Sequence, residues 1–382
     1  MRDDWTETTL GDIASFEYGK PLKAENRDGV GFPVFGSAGE VGRHSEPLIR
    51  DAPVIVVGRK GTAGAVWWSD LPCSVIDTAY FVVPKISLDF RYLFQLLGFL
   101  DLPSLTAQTG VPGLNRERAY SSEVALPPIA EQKRIVNVVL SVDAYIDALQ
   151  QQVDAVRTAR NAVLHELLSA GGDDWTETTL GDECIVKGGK RLPKGTPWSD
   201  IPTAHPYIRA TDFRNGRIDT SNLVFVPEEI WSAISRYVVQ DGDVLITIAG
   251  TIGAVALCPA THIGANLTEN AALIRPKSES LSSNFLHFWL GDSDAQTQIR
   301  DLTIGTTQQK LGLFRIESIQ ILLPPIAEQE RIVEIVSSMD DVIQAAESAV
   351  VEAKNLRSGL LSDLLSGEHE IPVSYDELLG AA

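Results

Sequence analysis

The sequence predicts an α+β fold built twice: two mixed α/β domains in tandem repeat, separated by two long antiparallel coiled-coil helices with pseudo-twofold symmetry. Three observations predict it. The segment Asp3–Asp12 recurs without change at Asp173–Asp182, an offset of 170. The segment Leu126–Val136 recurs at Leu323–Val333 with one change, Lys133 to Glu330, at an offset of 197. After each copy of that second segment, apolar residues recur in steps of four and three, the seam of a coiled coil. Internal repetition of this kind fixes the organisation before any local reading does. It divides the chain into a first domain (1–127), a first long helix (128–170), a second domain (171–324), a second long helix (325–367) and an acidic tail (368–382).

Between the repeated edges the copies diverge. Gly61–Val66 echoes Gly250–Val255, and Phe81–Pro84 resembles Leu273–Pro276. The offset grows from 170 to 197, so the second domain is longer than the first by the difference, 27. Constant edges around a divergent interior suggest one framework carrying two different surfaces. Within the domains, Val54–Val57, Tyr80–Val83, Val244–Ile248, Ala272–Ile274 and Ile319–Leu323 are short apolar, largely β-branched runs that read as strands. Helices are expected at 89–101 and 283–299.

Each long helix is expected to open just after Leu-Pro-Pro, because proline suits a first helical turn and an acidic residue follows it. The first seam is Ile135, Val139, Val142, Ile146, Leu149, Val153, Val156, Arg160, Val163 and Leu167. The second is Ile332, Val336, Met339, Ile343, Ala346, Val350, Ala353, Arg357, Leu360 and Leu364. The stripes are narrow and need burial; each is the obvious partner of the other. The single exception in both is arginine, which either snorkels out of the seam or forms a docking point for another subunit; snorkelling is preferred. From Ile135 to Leu167 such a rod is ~50 Å long at ~1.5 Å per residue.

Composition narrows the class. The chain has 382 residues, 44% hydrophobic, and no apolar run approaching the roughly 18 residues of a membrane span. Its first residues show no signal-peptide pattern, and Cys73, Cys184 and Cys258 lack the spacing of a disulfide framework or zinc site, so a reducing, cytoplasmic setting is expected. Net charge is −19, yet the stretch 325–382 carries 3 basic and 12 acidic side chains, so nearly half the excess lies there. The two domains, at net −4 and −5, leave room for a local basic face.

Several loops suit contact with nucleic acid. In the first copy they offer Lys20, Arg59, Lys60, Thr62, Thr109, Asn115 and Arg116; the glycine-rich stretch Gly58–Gly64 lacks the Gly-Lys-Ser/Thr ending of a nucleotide-binding loop. In the second they offer Lys190, Arg191, Lys194, Arg209, Arg214 and Thr251, with Thr307, Gln308, Gln309 and Lys310 in a polar loop whose glutamines match adenine. The stretch Gly250–Gly253 has lost both basic residues of its counterpart. No nucleophile elbow, His-Glu-x-x-His or methyltransferase tetrapeptide is present, and the six histidines show no ligand spacing, so no catalytic centre and no metal site are expected.

The opening Trp-x-x-x-x-Leu-Gly-Asp, the Leu-Pro-Pro-Ile-Ala-Glu-Gln-x-Arg-Ile-Val entry to each long helix, and Tyr207–Gly216 resemble the specificity subunit of type I restriction–modification enzymes, over essentially the whole chain. The resemblance implies two target-recognition domains, each reading half of a bipartite double-stranded DNA site, with the helices setting the spacer and docking two methyltransferase subunits. Restriction–translocation subunits would join that core. S-adenosylmethionine, ATP and Mg would be bound by those partners, none by this chain. A turn of B-DNA is about 34–36 Å, so heads at the ends of the rod would stand roughly one to one and a half turns apart. The alternative is an antirestriction decoy that sequesters methyltransferase subunits; a fused enzyme is the third class.

Overall fold

The computed structural model describes residues 4–106, 113–305 and 309–379. The chain divides into two compact units, Met1–Gln150 with Ser348–Ala382, and Gln151–Glu347. Each takes one half of each long helix.

In the first unit a four-stranded antiparallel sheet has the order Ala14–Tyr18, Ala79–Pro84, Val54–Gly58, Val66–Ser69. A three-stranded sheet of Gly39–His44, Phe32–Gly36 and Ser74–Val75 lies beside it, its last pair parallel. The second unit repeats this plan. Its four strands are Cys184–Gly188, Ala271–Pro276, Val244–Thr247 and Val255–Leu257, and its three are Val224–Phe225, Pro206–Ile208 and Asn266–Leu267. The second unit adds a small hairpin, Phe213–Arg214 with Arg217–Ile218. The expected strands are therefore present, joined by others that no apolar run announced. The expected helix at 89–101 forms as Phe90–Phe99. The one expected at 283–299 is broken into Ser283–Gly291 and Ser293–Leu302, because Asp292 is extended and its carboxylate caps the second piece through the Asp294 amide.

In each unit the repeated opening pairs with the strand that leads into the long helix. Thr6–Thr9 runs antiparallel to Glu123–Leu126, and Thr176–Thr179 to Gln320–Leu323. Leu10 and Leu180 are fully buried just beyond these ribbons. At Gly11 an added Cβ would stand 2.9 Å from the Tyr120 Cβ, and at Gly181 3.0 Å from the Glu317 Cβ, so any larger residue would push the ribbon off its neighbour. These contacts give the repeated edges a physical reason to stay constant.

The long helices, Ile129–Ser169 and Ile326–Ser366, begin directly after Leu-Pro-Pro and run 41 residues each, about 60 Å. The glutamine of each entry motif, which the helical pattern did not single out, is buried and ties the helix down. Gln132 donates to the Pro127 carbonyl and accepts from the Asp89 amide, both at 2.8 Å. Gln329 donates to Pro324 and Ser280 carbonyls at 2.8 Å and accepts from the Ser282 amide at 2.9 Å. Asp89 and Ser282 are in turn the caps of Phe90–Phe99 and Ser283–Gly291.

Within each unit the two half-helices pack antiparallel. In the first, Ile135, Val136 and Val139 share a core with Leu364 and Leu365, while Asp143 meets Arg357. In the second, Leu164 shares a core with Ile332 and Val336, Arg160 meets Asp340 and Arg157 meets Glu347. The seam residues Ile146, Val153 and Val350 are buried, and Val142, Leu149, Val156, Met339, Ile343 and Leu360 are half-buried. The two seam arginines do not snorkel. Arg160 grips Asp340 with Nε at 2.9 Å and Nη2 at 3.2 Å, and Arg357 grips Asp143 through the same two nitrogens. Asp143 and Asp340 are related by the same offset of 197 as Arg160 and Arg357. The two units thus hold the same cross-helix lock with the helices exchanging roles.

Candidate nucleic-acid interface

At one end of the four-stranded sheet in the first unit, backbone hydrogen bonds gather four loops. The Lys20 amide donates to Val75 O at 2.9 Å, Arg59 and Lys60 amides donate to Thr78 O, and the Leu114 amide donates to Arg59 O at 2.9 Å. Gly19 sits so close to the next loop that an added Cβ would lie 2.1 Å from Ile76 O. The turn Gly58–Gly64 closes by Gly64 N to Gly58 O at 2.8 Å, with Gly61 and Gly64 at φ +76° and +84°. This brings together Lys20, Arg59, Lys60, Thr62 and Arg116. Asn115 joins them, but its side-chain oxygen is committed to capping Arg116–Tyr120 through the Arg118 amide. Thr109 lies outside the described residues.

Sequence reasoning missed the centre of this cluster. Tyr18, 51% exposed, stacks edge-on against Tyr80 at 5.1 Å. The Arg59 and Arg116 guanidiniums lie over its ring at 5.0 and 5.3 Å from the centroid. An aromatic ending a strand beside Gly-Lys was the available signal.

The second unit builds the same cluster with the same bonds. Lys190 N donates to Leu267 O at 2.8 Å, Ile248 N to Asn270 O at 2.8 Å, and Leu311 N to Ile248 O at 3.0 Å. Gly189 repeats the close approach, its added Cβ falling 2.1 Å from Thr268 O. Lys190, Arg191, Thr251, Gln309 and Lys310 are gathered here, with Lys194 exposed on an adjacent turn. Lys190 stands 5.7 Å from the Tyr237 ring centroid, and Arg191 pairs with Glu269; burial pushes that carboxyl's pKa up, but the hydrogen bonds and charge of Arg191, with the bonds from its own backbone and Thr268, outweigh it and leave the pKa below its ordinary value. Thr307 and Gln308 lie outside the described residues.

Two candidates stand apart. Arg209 is held by buried Asp212 and by the Asn222 carbonyl, bonds that stabilise its own turn. Arg214 lies on the extra hairpin, where it and Arg217 line a cavity of about 780 Å³ with Arg157, Arg160 and His287. His287 donates from Nε2 to Gly216 O at 2.9 Å, and burial holds its pKa below the usual histidine value.

Other chemistry is accounted for locally. His165, Asp292 and Asp294 bring potential ligand atoms within 4.8 Å of one another, a grouping that sequence spacing did not reveal. Asp292 there serves as helix cap and partner of His165. Burial pushes the Cys73 thiol up to about 11 and the Cys184 and Cys258 thiols up to about 12, which keeps them protonated. Among the described residues no helix is long and apolar enough to cross a membrane.

Comparison with known proteins agrees with this architecture. The chain is 25% identical over 349 residues to the type I restriction enzyme EcoBI specificity subunit of Escherichia coli, covering 82% of this chain and 73% of that protein. Its fold is similar to the type I restriction–modification S subunit from M. genitalium, with TM-score 0.54, 17% identity and coverage of 97% and 98% of the two chains. It is also similar to a chain in a structure of a type I R-M system, with TM-score 0.58, 17% identity and coverage of 96% and 98%. The family model described as type I restriction modification DNA specificity domain matches twice, over residues 2–156 and 172–353, and to that family this chain belongs.

Proposed function

We propose that this chain is the DNA-recognition subunit of a type I restriction–modification complex, each unit reading one half of a bipartite double-stranded site. One observation carries the reading: the same loop cluster is assembled twice on the same backbone hydrogen bonds, with different side chains presented by each. A shared scaffold with divergent surfaces is what reading two different half-sequences requires. The acidic excess is concentrated in the stretch 325–382 rather than spread over the domains, which favours a DNA reader over a decoy.

In this reading the long helices set the gap and dock two methyltransferase subunits. Tyr145 and Val342, at equivalent positions outside the seam, are 59% and 53% exposed, and such apolar side chains suit a partner helix. The chain itself is non-catalytic. S-adenosylmethionine, ATP and Mg belong to the methyltransferase and restriction–translocation partners, and the complex works in the cytoplasm. The test is co-expression with the cognate methyltransferase, followed by methylome sequencing. A two-part methylated motif is expected, and exchanging residues 13–125 for those of a relative is expected to change one part only. Alteration of both parts together would refute the division of labour.

A further inference from the structure

Resting on that reading, we propose that Tyr18 is a positioning residue for DNA recognition by the first unit: its ring holds the Arg59 and Arg116 guanidiniums at the exposed face of the loop cluster, where one of them reads a guanine in the half-site.

A guanidinium lying on an aromatic face uses its flat surface for the contact and keeps its in-plane N–H donors. Arg59 gives Nη1 to Asp77 O at 2.8 Å, and Arg116 gives Nη1 to Phe16 O at 3.4 Å. Each is thereby tethered at one nitrogen and braced by the ring, with further donors left over. Among the described residues Arg59 makes no ion pair, and that of Arg116 is a loose one, 3.9 Å to exposed Glu117. The ring itself is braced by Tyr80, which stacks on buried Phe16 at 5.9 Å. The backbone below is fixed by Phe16 N donating to the Tyr120 hydroxyl at 2.7 Å. Two pre-set forks beside exposed Lys20 and Lys60 match the paired O6 and N7 acceptors of guanine, with the lysines left for phosphate.

The second unit shows what the absence of the clamp looks like. Its counterparts of Tyr18, Arg59 and Arg116 are Gly188, Ile248 and Leu313, and Leu313 lies 3.6 Å from where a Gly188 Cβ would be. The same place is filled by apolar contact, so the second half-site is read without it.

The experiment uses the full chain with its methyltransferase subunits and measures methylation of duplexes carrying single base-pair changes in either half. Tyr18→Phe is expected to keep the wild-type discrimination, since it keeps the ring. Tyr18→Leu, of similar apolar bulk, is expected to lose roughly tenfold at a G·C position of the first half and nothing in the second. The salt dependence of binding should be unaltered by Tyr18→Leu, because no charge is removed. Arg59→Gln or Arg116→Gln should lose roughly 5- to 150-fold at that same position. Wild-type discrimination by Tyr18→Leu, failure of Tyr18→Phe, equal loss in both halves, or a first half without G·C overturns the clamp. A wild-type complex that methylates no two-part site overturns the underlying reading instead.

Discussion

The joints of the two units and their loop clusters follow opposite rules. At the joints the units share their key residues: the same Thr-Glu-Thr-Thr strand in the same ribbon, the same buried glutamine beneath the helix start, the same arginine–aspartate lock. At the clusters only the backbone agrees. Lys20 and Lys190 hold equivalent bonds, but the positions of Tyr18, Arg59 and Arg116 are taken in the second unit by Gly188, Ile248 and Leu313. The difference teaches that this architecture separates what must fit the other half of its own chain from what must fit DNA. The glutamines and the arginine–aspartate pairs that bond inward are the same in both units, while the side chains presented by the loop clusters differ.

That separation can be broken first at the lock. Reversing one member, as in Arg160→Asp, leaves two carboxylates facing each other in a half-buried seam. A loss of about 2–4 kcal/mol in unfolding free energy is expected, below the full penalty for a dry interior pair because both side chains keep some water. Adding Asp340→Arg should recover most of it, and denaturant titration of the single and double variants reads the coupling. Next is the glutamine: Gln132→Ala or Gln329→Ala strands buried backbone groups and should remove about 1–3 kcal/mol, the larger loss at Gln329, which makes one more bond. A larger loss at Gln132 than at Gln329 would show that these bonds do not set the stability of the joints.

A third variant sharpens the comparison at the loops. Gly19→Ala forces the first cluster apart and Gly189→Ala the second, so each should weaken discrimination in one half-site only, read by methylation of half-site variants. A smaller effect concerns acid. His287 is half-buried, its folded pKa is lowered chiefly by desolvation, and Phe94 occupies the corresponding helix position in the first unit. Because the unfolded chain takes up the proton more readily, stability is insensitive to this group above about pH 6.5 and falls as pH drops below it, until the folded pKa is passed. Thermal melts of wild type and His287→Gln should therefore diverge on acidification, with the variant less pH-dependent.

The parts legible in sequence were those with a period or a copy. The duplicated edges marked the joints, and Leu-Pro-Pro placed both long helices correctly, since proline's lost N–H is harmless in a first turn. The seam followed from spacing. Spacing alone favours snorkelling for the arginines within it, because their partners are known only once the antiparallel register is; the clue in the sequence is that Asp143 and Asp340 share the offset of 197. Strands such as Phe32–Gly36 and the hairpin at Asn215–Gly216 escaped because they are short, glycine-rich and held by tertiary contacts. The turn bonds of the Arg209 guanidinium and the cap bond accepted by the Asn115 side-chain oxygen escape because local bonds are invisible to composition.

The matched ion pairs have one further consequence, for alignment. Sliding one long helix along the other by a heptad moves it about 10.5 Å, close to three base-pair steps of duplex. After such a slip Asp143 would face Val350 or Leu364, both buried and apolar, and its carboxylate would lose its partner. A purely greasy stripe would tolerate neighbouring alignments with small penalties. Two charged teeth on each helix, Asp143 with Arg160 and Asp340 with Arg357, turn that stripe into a ratchet with a single comfortable notch.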